Sequence, residues 1–196
     1  MRRFRNIRAI LVCASLMSTL TASAQEIGPS NGSLVVVGGA MKDLGILKRF
    51  FELAGGVNVP VDVNPPAGQE HDYDEKWSGL SQFKAVGATN LTVLHTRDRS
   101  VSNSKAFVEL IRDAKGVWFS GGRQWRLADA YLDTGVHEEL RKLLGRGGVI
   151  GGSSAGASIQ GTYLVRGDTK TNTIMMGDHE KGLGFLKDVA IDQHLL

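Results

Sequence analysis

Gly147-Gly148-Val149-Ile150-Gly151-Gly152-Ser153-Ser154-Ala155-Gly156-Ala157 is the stretch on which the fold turns. Gly147 to Ile150 reads as a short buried strand, and the small residues from Ala155 to Ser158 read as the first turn of a helix. Between them Gly152-Ser153-Ser154-Ala155-Gly156 has the G-x-S-x-G spacing of a nucleophile elbow. A chain that passes so sharply from strand to helix holds its central residue in strained backbone angles and lifts its side chain into the cleft. The neighbours must then be tiny, which glycine and alanine satisfy. By register Ser154 is the nucleophile and Ser153 the weaker candidate. Close packing or phosphate binding would also use such a turn, but no P-loop lysine accompanies it.

Upstream, Ser33-Leu34-Val35-Val36-Val37-Gly38-Gly39-Ala40 is another apolar strand ending in glycines. Leu44, Leu47, Phe51 and Ala54 share one face of the helix that follows, which Gly55-Gly56 closes. Val57, Val59, Val61 and Val63 alternate as a second strand, ended by Pro65-Pro66. A weaker helical segment is expected around Trp77 to Val86, a third strand over Asn90 to Leu94, and a helix striped by Phe107, Leu110, Ile111 and Ala114. Gly116 to Phe119 is a fourth strand running into Ser120-Gly121-Gly122, and Val136, Leu140, Leu143 and Leu144 mark the next helix. Strands alternating with amphipathic helices predict an α/β fold, a parallel sheet with helices on both faces. Sites in such sheets gather at the carboxyl ends of the strands. Three strands here end in glycine pairs: Gly38-Gly39, Gly121-Gly122 and Gly151-Gly152. Val37-Gly38-Gly39-Ala40 lacks the G-x-G-x-x-G spacing that a dinucleotide needs.

A pI near 9.1 invites a nucleic-acid or membrane reading. The basicity, however, sits in the first 24 residues. Arg2, Arg3, Arg5 and Arg8 form a basic head, Ala9 to Leu20 is mostly apolar, and Ala22-Ser23-Ala24 supplies a small-residue cleavage site. Residues 1–24 are therefore read as a signal peptide and 25–196 as a single α/β domain. A retained membrane anchor is the alternative, although the apolar run is short for a bilayer. Without that segment the formal charge falls from +3 to −1, 19 basic side chains against 20 acidic. The electrostatic case for nucleic acid or an anionic membrane then disappears. Cys13, the only cysteine, lies in the same segment, so the mature chain has no disulfide, thiol nucleophile or cysteine-bound zinc. No metal or cofactor is expected, and the location expected is periplasmic or extracellular.

A serine nucleophile needs a base, and the base an orienting acid. Of the histidines, His137 lies on a charge-rich helix and is expected in solvent. His71 falls in a polar loop, His95 follows a strand, and His179 sits in a turn that reads as exposed. His194 follows the apolar run Val189 to Ile191, at a strand's end where a base belongs, and is favoured over His179 and His95. Asp168, closing Arg166-Gly167-Asp168 after the short strand Tyr163 to Val165, is the favoured acid, with Asp192 a rival. The Ala155 and Gly122 amides are the natural oxyanion donors. Arg123, Arg126 and Asp129 are candidates for holding substrate charge.

Gly116-Val117-Trp118-Phe119-Ser120-Gly121-Gly122-Arg123-Gln124, then Gly151 to Ala157, then Ile191-Asp192-Gln193-His194 resemble, in order, the motifs of the cyanophycinase and aspartyl dipeptidase (peptidase E) serine peptidases. The likeness runs from about Ser33 to the last residue. It implies a class I glutamine amidotransferase-like (flavodoxin-like) three-layer sandwich with Ser154 as nucleophile, His194 as base and Asp168 as third member. Gly122 and Ala155 match the oxyanion donors, and Gln124 and Arg123 stand where substrate is contacted. The implied partner is a peptide or polyamide rich in aspartate and arginine, in particular cyanophycin, cleaved to β-aspartyl-arginine dipeptides. A homodimer is compatible with it. Cyanophycinases commonly carry Asp where this chain has Arg123, and Arg166-Gly167-Asp168 replaces their Gly-Gly-Glu-Ser-like acid motif. Members continue well past the histidine, so the chain reads as a partial sequence. The competing expectations are an aspartyl or isoaspartyl dipeptidase, an esterase of the α/β-hydrolase type, and an inactive truncated homologue. Only 40 positions separate Ser154 from His194, and no His-Gly-Gly-Gly motif is present, which speaks against the esterase.

Overall fold

In the computed structural model, which describes residues 26–68 and 73–193, five parallel strands form the central sheet. They are β1 (Ser33–Val37), β2 (Val61–Asn64), β3 (Leu91–Val93), β4 (Gly116–Phe119) and β5 (Val149–Ser153), in the spatial order β1-β5-β4-β2-β3. Side chains along a strand alternate between faces, and each face here meets its own helical layer. Val61, Val63, Trp118 and Val149 pack against Leu47, Phe50, Phe51 and Phe83 from α1 (Leu44–Ala54) and α2 (Ser81–Ala85). Val117, Phe119 and Ile150 face the other way. They meet Ile111 of α4 (Lys105–Arg112), Leu127 and Tyr131 of α5 (Gln124–Tyr131), and Val136, Leu140 and Leu143 of α6 (Gly135–Gly145). A single turn of helix, α3 (Arg99–Ser102), precedes α4. The expected three-layer α/β sandwich is the architecture found.

Local details follow from residue chemistry. The Asp43 carboxylate caps α1 by accepting the Gly45 amide at 2.7 Å, and Gly55, at φ 103°, closes that helix in the left-handed region. The second strand is shorter than the alternating valines predict. It begins only at Val61, because Pro60 has no amide to donate to a ladder. Flanked by β3 and β4, β2 is buried on both faces instead of one. The segment near Trp77 to Val86 divides into a 3-10 turn, Ser78–Leu80, and α2. On α4 the burial falls on Ile111, whereas Leu110 is exposed. β6 (Gly161–Tyr163) and β7 (Leu186–Ala190) lie outside the main sheet and pair parallel with each other. None of the described helices is long and apolar enough to cross a membrane.

Because β5 lies between β1 and β4, the three glycine-ended strands are neighbours, and their carboxyl ends open on one place. α7 (Ala155–Ser158) starts there, directly after β5.

One core residue is chemically out of place. Asp62, 2% exposed in β2, carries an Oδ2 with no hydrogen-bond partner among the described residues. Burial pushes its pKa up to about 7, opposed only by the Thr92 side chain. Between about pH 4 and 7 the folded state keeps a proton that the unfolded chain releases, so this group makes stability fall as pH rises through that window. Asp62→Asn removes the ionisation. The expected outcome in urea melts is near-parity with the parent at pH 4 and a variant more stable by roughly 2–4 kcal/mol at pH 8. A difference that does not change with pH would contradict this account.

Candidate active site

Ser154 stands between β5 and α7 with φ 53° and ψ −117°. Positive φ is costly for any residue with a Cβ, and it persists only where the surroundings impose it. The imposing contacts are visible on both sides. A Cβ on Gly152 would collide with the Gly156 carbonyl, and one on Gly156 would collide with the Phe119 carbonyl at the end of β4. Glycine at both positions lets α7 begin directly over the sheet, and the backbone must then kink at Ser154. The Ser154 amide is tied to the Val37 carbonyl of β1 at 3.1 Å, which fixes the kink to a second strand.

The backbone also sets the electrophilic side of the site. Ala67, beyond β2, forms an isolated parallel bridge with Gly122, beyond β4. The Ala67 amide donates to the Gly121 carbonyl at 3.0 Å, and the Ala67 carbonyl accepts the Arg123 amide at 3.1 Å. In a trans peptide the N–H points opposite to the preceding C=O. With the Gly121 carbonyl aimed at Ala67, the Gly122 N–H points away from β2 and towards the β5 side. Ser154 is there: a Cβ on Gly121 would sit 3.3 Å from the Ser154 Cβ and 3.7 Å from its Oγ. Gly122, at φ 106°, presses against the Ala67 backbone so closely that a side chain would not fit. The Ala155 N–H is the first amide of α7 and has no acceptor in its own helix. The two amides expected to hold an oxyanion therefore flank the serine.

His194 lies outside the described residues, as do His71 and residues 1–24. The chain leading to it is placed, however. The Ser158 hydroxyl, one turn beyond Ser154, donates to the Ile191 carbonyl at 2.7 Å and also contacts the Gln193 side-chain amide. Residues 191–193 are thus pinned to α7. Asp168 is buried, and its Oδ1 accepts the amides of Lys170 and Thr171 at 2.8 and 3.0 Å, an Asx-type turn. Asp192 is engaged in a two-pronged ion pair with Arg166, at 2.8 and 3.0 Å.

The remaining histidines occupy distinct places. His137, expected in solvent, is buried: its Nε2 lies 2.8 Å from the Leu183 carbonyl and its Nδ1 accepts the Asp133 amide at 3.2 Å. Its helix face turns towards the segment before β7, which the local charge pattern does not reveal. Burial lowers its pKa, favouring the neutral ring. His179 is half-buried between Asp129 and Asp178, at 2.8 and 3.0 Å. Burial works against its charged form, but the carboxylates of Asp178 and Asp129 outweigh it and raise the pKa. His95 stands edge-on to Tyr73, with ring centres 4.9 Å apart. No group of three or more His, Cys, Asp or Glu among the described residues is placed to hold a metal ion.

Gln124 is buried and donates its amide to the Val165 carbonyl at 2.9 Å, tying α5 to the chain beyond β6. Arg123 reaches the Asp168 carbonyl at 2.6 Å, and Arg126 reaches the Ala67 carbonyl at 3.2 Å. Ala67 and Ser158 are positioning residues that the sequence reading did not single out. The Pro65-Pro66 pair before Ala67 signals a turn, but nothing in it signals the partner across the sheet.

Comparison with known proteins agrees with this geometry. The model of peptidase family S51 matches residues 30–195. The cyanophycinase of Geminocystis herdmanii is 32% identical over 169 residues, which is 83% of this chain and 61% of that protein. The cyanophycinase of Synechococcus elongatus is 29% identical over 185 residues, 91% of this chain and 57% of that protein. The crystal structure of a peptidase from an acI-B1 actinobacterium superposes with a TM-score of 0.62 at 26% identity, covering 83% of this chain and 68% of that one. A candidate peptidase E of Listeria monocytogenes shares the fold, with a TM-score of 0.59 at 16% identity over 82% of this chain and 78% of that one. The chain belongs to peptidase family S51. It spans about three-fifths of the length of these cyanophycinases.

Strain at the elbow is measurable. Ser154→Gly removes the Cβ that positive φ penalises, whereas Ser154→Ala keeps it. The glycine variant is expected to exceed the alanine variant by about 1 kcal/mol, or a few degrees in Tm, after the greater chain entropy of glycine is offset. Differential scanning calorimetry of the two variants decides it. An alanine variant as stable as the glycine variant would show an unstrained turn.

Proposed function

We propose that the protein is an exported serine peptidase that hydrolyses aspartyl amide bonds, with cyanophycin as its substrate. The observation that carries the reading is the Ser154 elbow, held at positive φ beside the Gly122 and Ala155 amides. In this mechanism the Ser154 hydroxyl attacks the amide carbonyl as His194 takes its proton, and the two amides stabilise the developing oxyanion. The protonated His194 then passes its proton to the leaving amine. Water, deprotonated by the same ring, releases the acyl group and restores the serine. The anchoring of Ile191 and Gln193 on Ser158, one turn beyond Ser154, supports the assignment of the residue that follows as the base. Asp168, with Oδ1 committed to its own loop, would orient the imidazole through Oδ2. Export rests on the basic head, apolar run and Ala22-Ser23-Ala24. The names of the related cyanophycinases support the choice of polymer.

The test is dipeptide release from purified cyanophycin, with aspartyl dipeptides as a second substrate. The parent is expected to turn over the polymer, and Ser154→Ala to lose at least about a hundredfold in kcat/KM, a modest figure for a triad serine. A comparable loss in Asp168→Asn, with folding intact, assigns that carboxylate to the triad. A folded parent inactive on both substrates would overturn the reading.

A further inference from the structure

From the bonds that reach residues 191–193, we infer that Arg166 is a positioning residue: its two-pronged ion pair with Asp192 aligns the chain that leads into His194. This rests on the reading of His194 as the base, and it names what holds the chain next to it. The Ser158 hydroxyl, donating to the Ile191 carbonyl at 2.7 Å, ties the segment to α7. A chain held at one hydroxyl can still swivel about that bond, and Arg166 supplies a second point. Its Nε and one terminal nitrogen donate to the two oxygens of Asp192 at 2.8 and 3.0 Å, and the two side chains are only 19% and 18% exposed. The fork sets the plane of the carboxylate as well as its distance, which a point charge cannot do. Asp168 lies two residues beyond Arg166, and His194 two beyond Asp192, so the pair joins the segments of the proposed acid and base.

The arginine is itself held. Its amide donates to the Met175 carbonyl at 2.7 Å, and its remaining terminal nitrogen donates to the Asn172 carbonyl at 3.1 Å. The loop that carries both carbonyls is fixed in turn by the Asp178 carboxylate, which accepts the Thr169 amide and hydroxyl at 3.0 and 2.6 Å. On either side of Arg166, the Val165 and Asp168 carbonyls accept the side chains of Gln124 and Arg123 at 2.9 and 2.6 Å. Both donors come directly after Gly122, so the clamp runs from the Gly122 loop through residues 165–168 to Asp192. The backbone of Arg166 is a second, independent sign. It sits at φ 58°, in the left-handed region that glycine enters freely and a residue with a Cβ enters at a cost. Glycine would serve the turn better, so the contact made by the arginine side chain is what accounts for the strain.

Order and turnover test this separately. Arg166→Gly removes the guanidinium while relieving the backbone, and Asp192→Asn removes the charge while keeping the shape. Melting curves identify a variant that does not fold, and the other then decides. By heteronuclear NOE, the backbone amides of residues 191–193 are expected to be as ordered as the sheet in the parent. They should lose that order in both variants while the rest of the domain keeps it. With the substrate that the parent turns over, each variant is expected to lose about ten- to a hundredfold in kcat with KM unchanged. Arg166→Lys, which keeps the charge but not the fork, should recover part of kcat. The double variant should lose no more than the worse single one, because the two side chains act as a unit. A merely stabilising ion pair would lower the melting temperature and leave kcat and KM of the folded protein intact. That result, or residues 191–193 as ordered in the variants as in the parent, would overturn the positioning role. Loss of order in the variants with no turnover by the parent would instead overturn the proposed activity and leave the clamp standing.

Discussion

Everything at this site depends on one steric constraint: the start of α7 must pass over the end of β4 at backbone contact. Gly156 against the Phe119 carbonyl, and Gly152 against the Gly156 carbonyl, leave no room for a side chain. That closeness turns Ser154 to φ 53°, and it explains why the strand, the kink and the helix cannot be altered one at a time. Among the described residues no hydrogen bond of its own hydroxyl positions the serine. It is positioned by a packing arrangement that forbids other conformations, which is a stiffer device than a side-chain contact.

The Gly122 side of the site, proposed to hold an oxyanion, uses a different physical means to the same end. A single bridge between Ala67 and Gly122 orients one peptide plane and leaves one N–H aimed at β5. Since the donors belong to the backbone, their direction costs no side-chain entropy and needs no reorganisation during reaction. The same Ala67 carbonyl collects Arg123 and Arg126, so geometry and charge at the mouth of the site share one anchor. Away from the mouth, Asp192 is compensated by Arg166, and His179 by two carboxylates.

How much of this could be read from the sequence depended on how local the cause was. The elbow was legible because its small residues and one of its two close contacts, Gly152 against Gly156, fall within five consecutive residues, whereas the contact of Gly156 with Phe119 was not legible. The layered α/β plan was legible because strand and helix periods differ. Val57 to Val63 was read as too long a strand, because alternation outweighed the missing amide of Pro60. His137 was misplaced because its burial comes from Leu183, 46 residues away, and nothing in its own helix announces that neighbour. The meeting of Arg126 with Ala67 spans 59 residues and was equally hidden. Asp168 shows the middle case: it was read as the acid of a triad, and the commitment of its Oδ1 to the amides of Lys170 and Thr171 appears only in three dimensions.

The Arg166–Asp192 pair has a further consequence for this lineage. It joins residues 26 positions apart and so closes a cycle through the exposed stretch from Thr169 to Lys181. For a flexible loop, closure entropy grows only logarithmically with length, about 0.6 kcal/mol for each doubling. Residues can therefore be gained or lost within the cycle at little cost while its clasp survives. Length drift between relatives should collect in this stretch, and the approach to residue 194 can stay in register while the sequence beside it is rewritten.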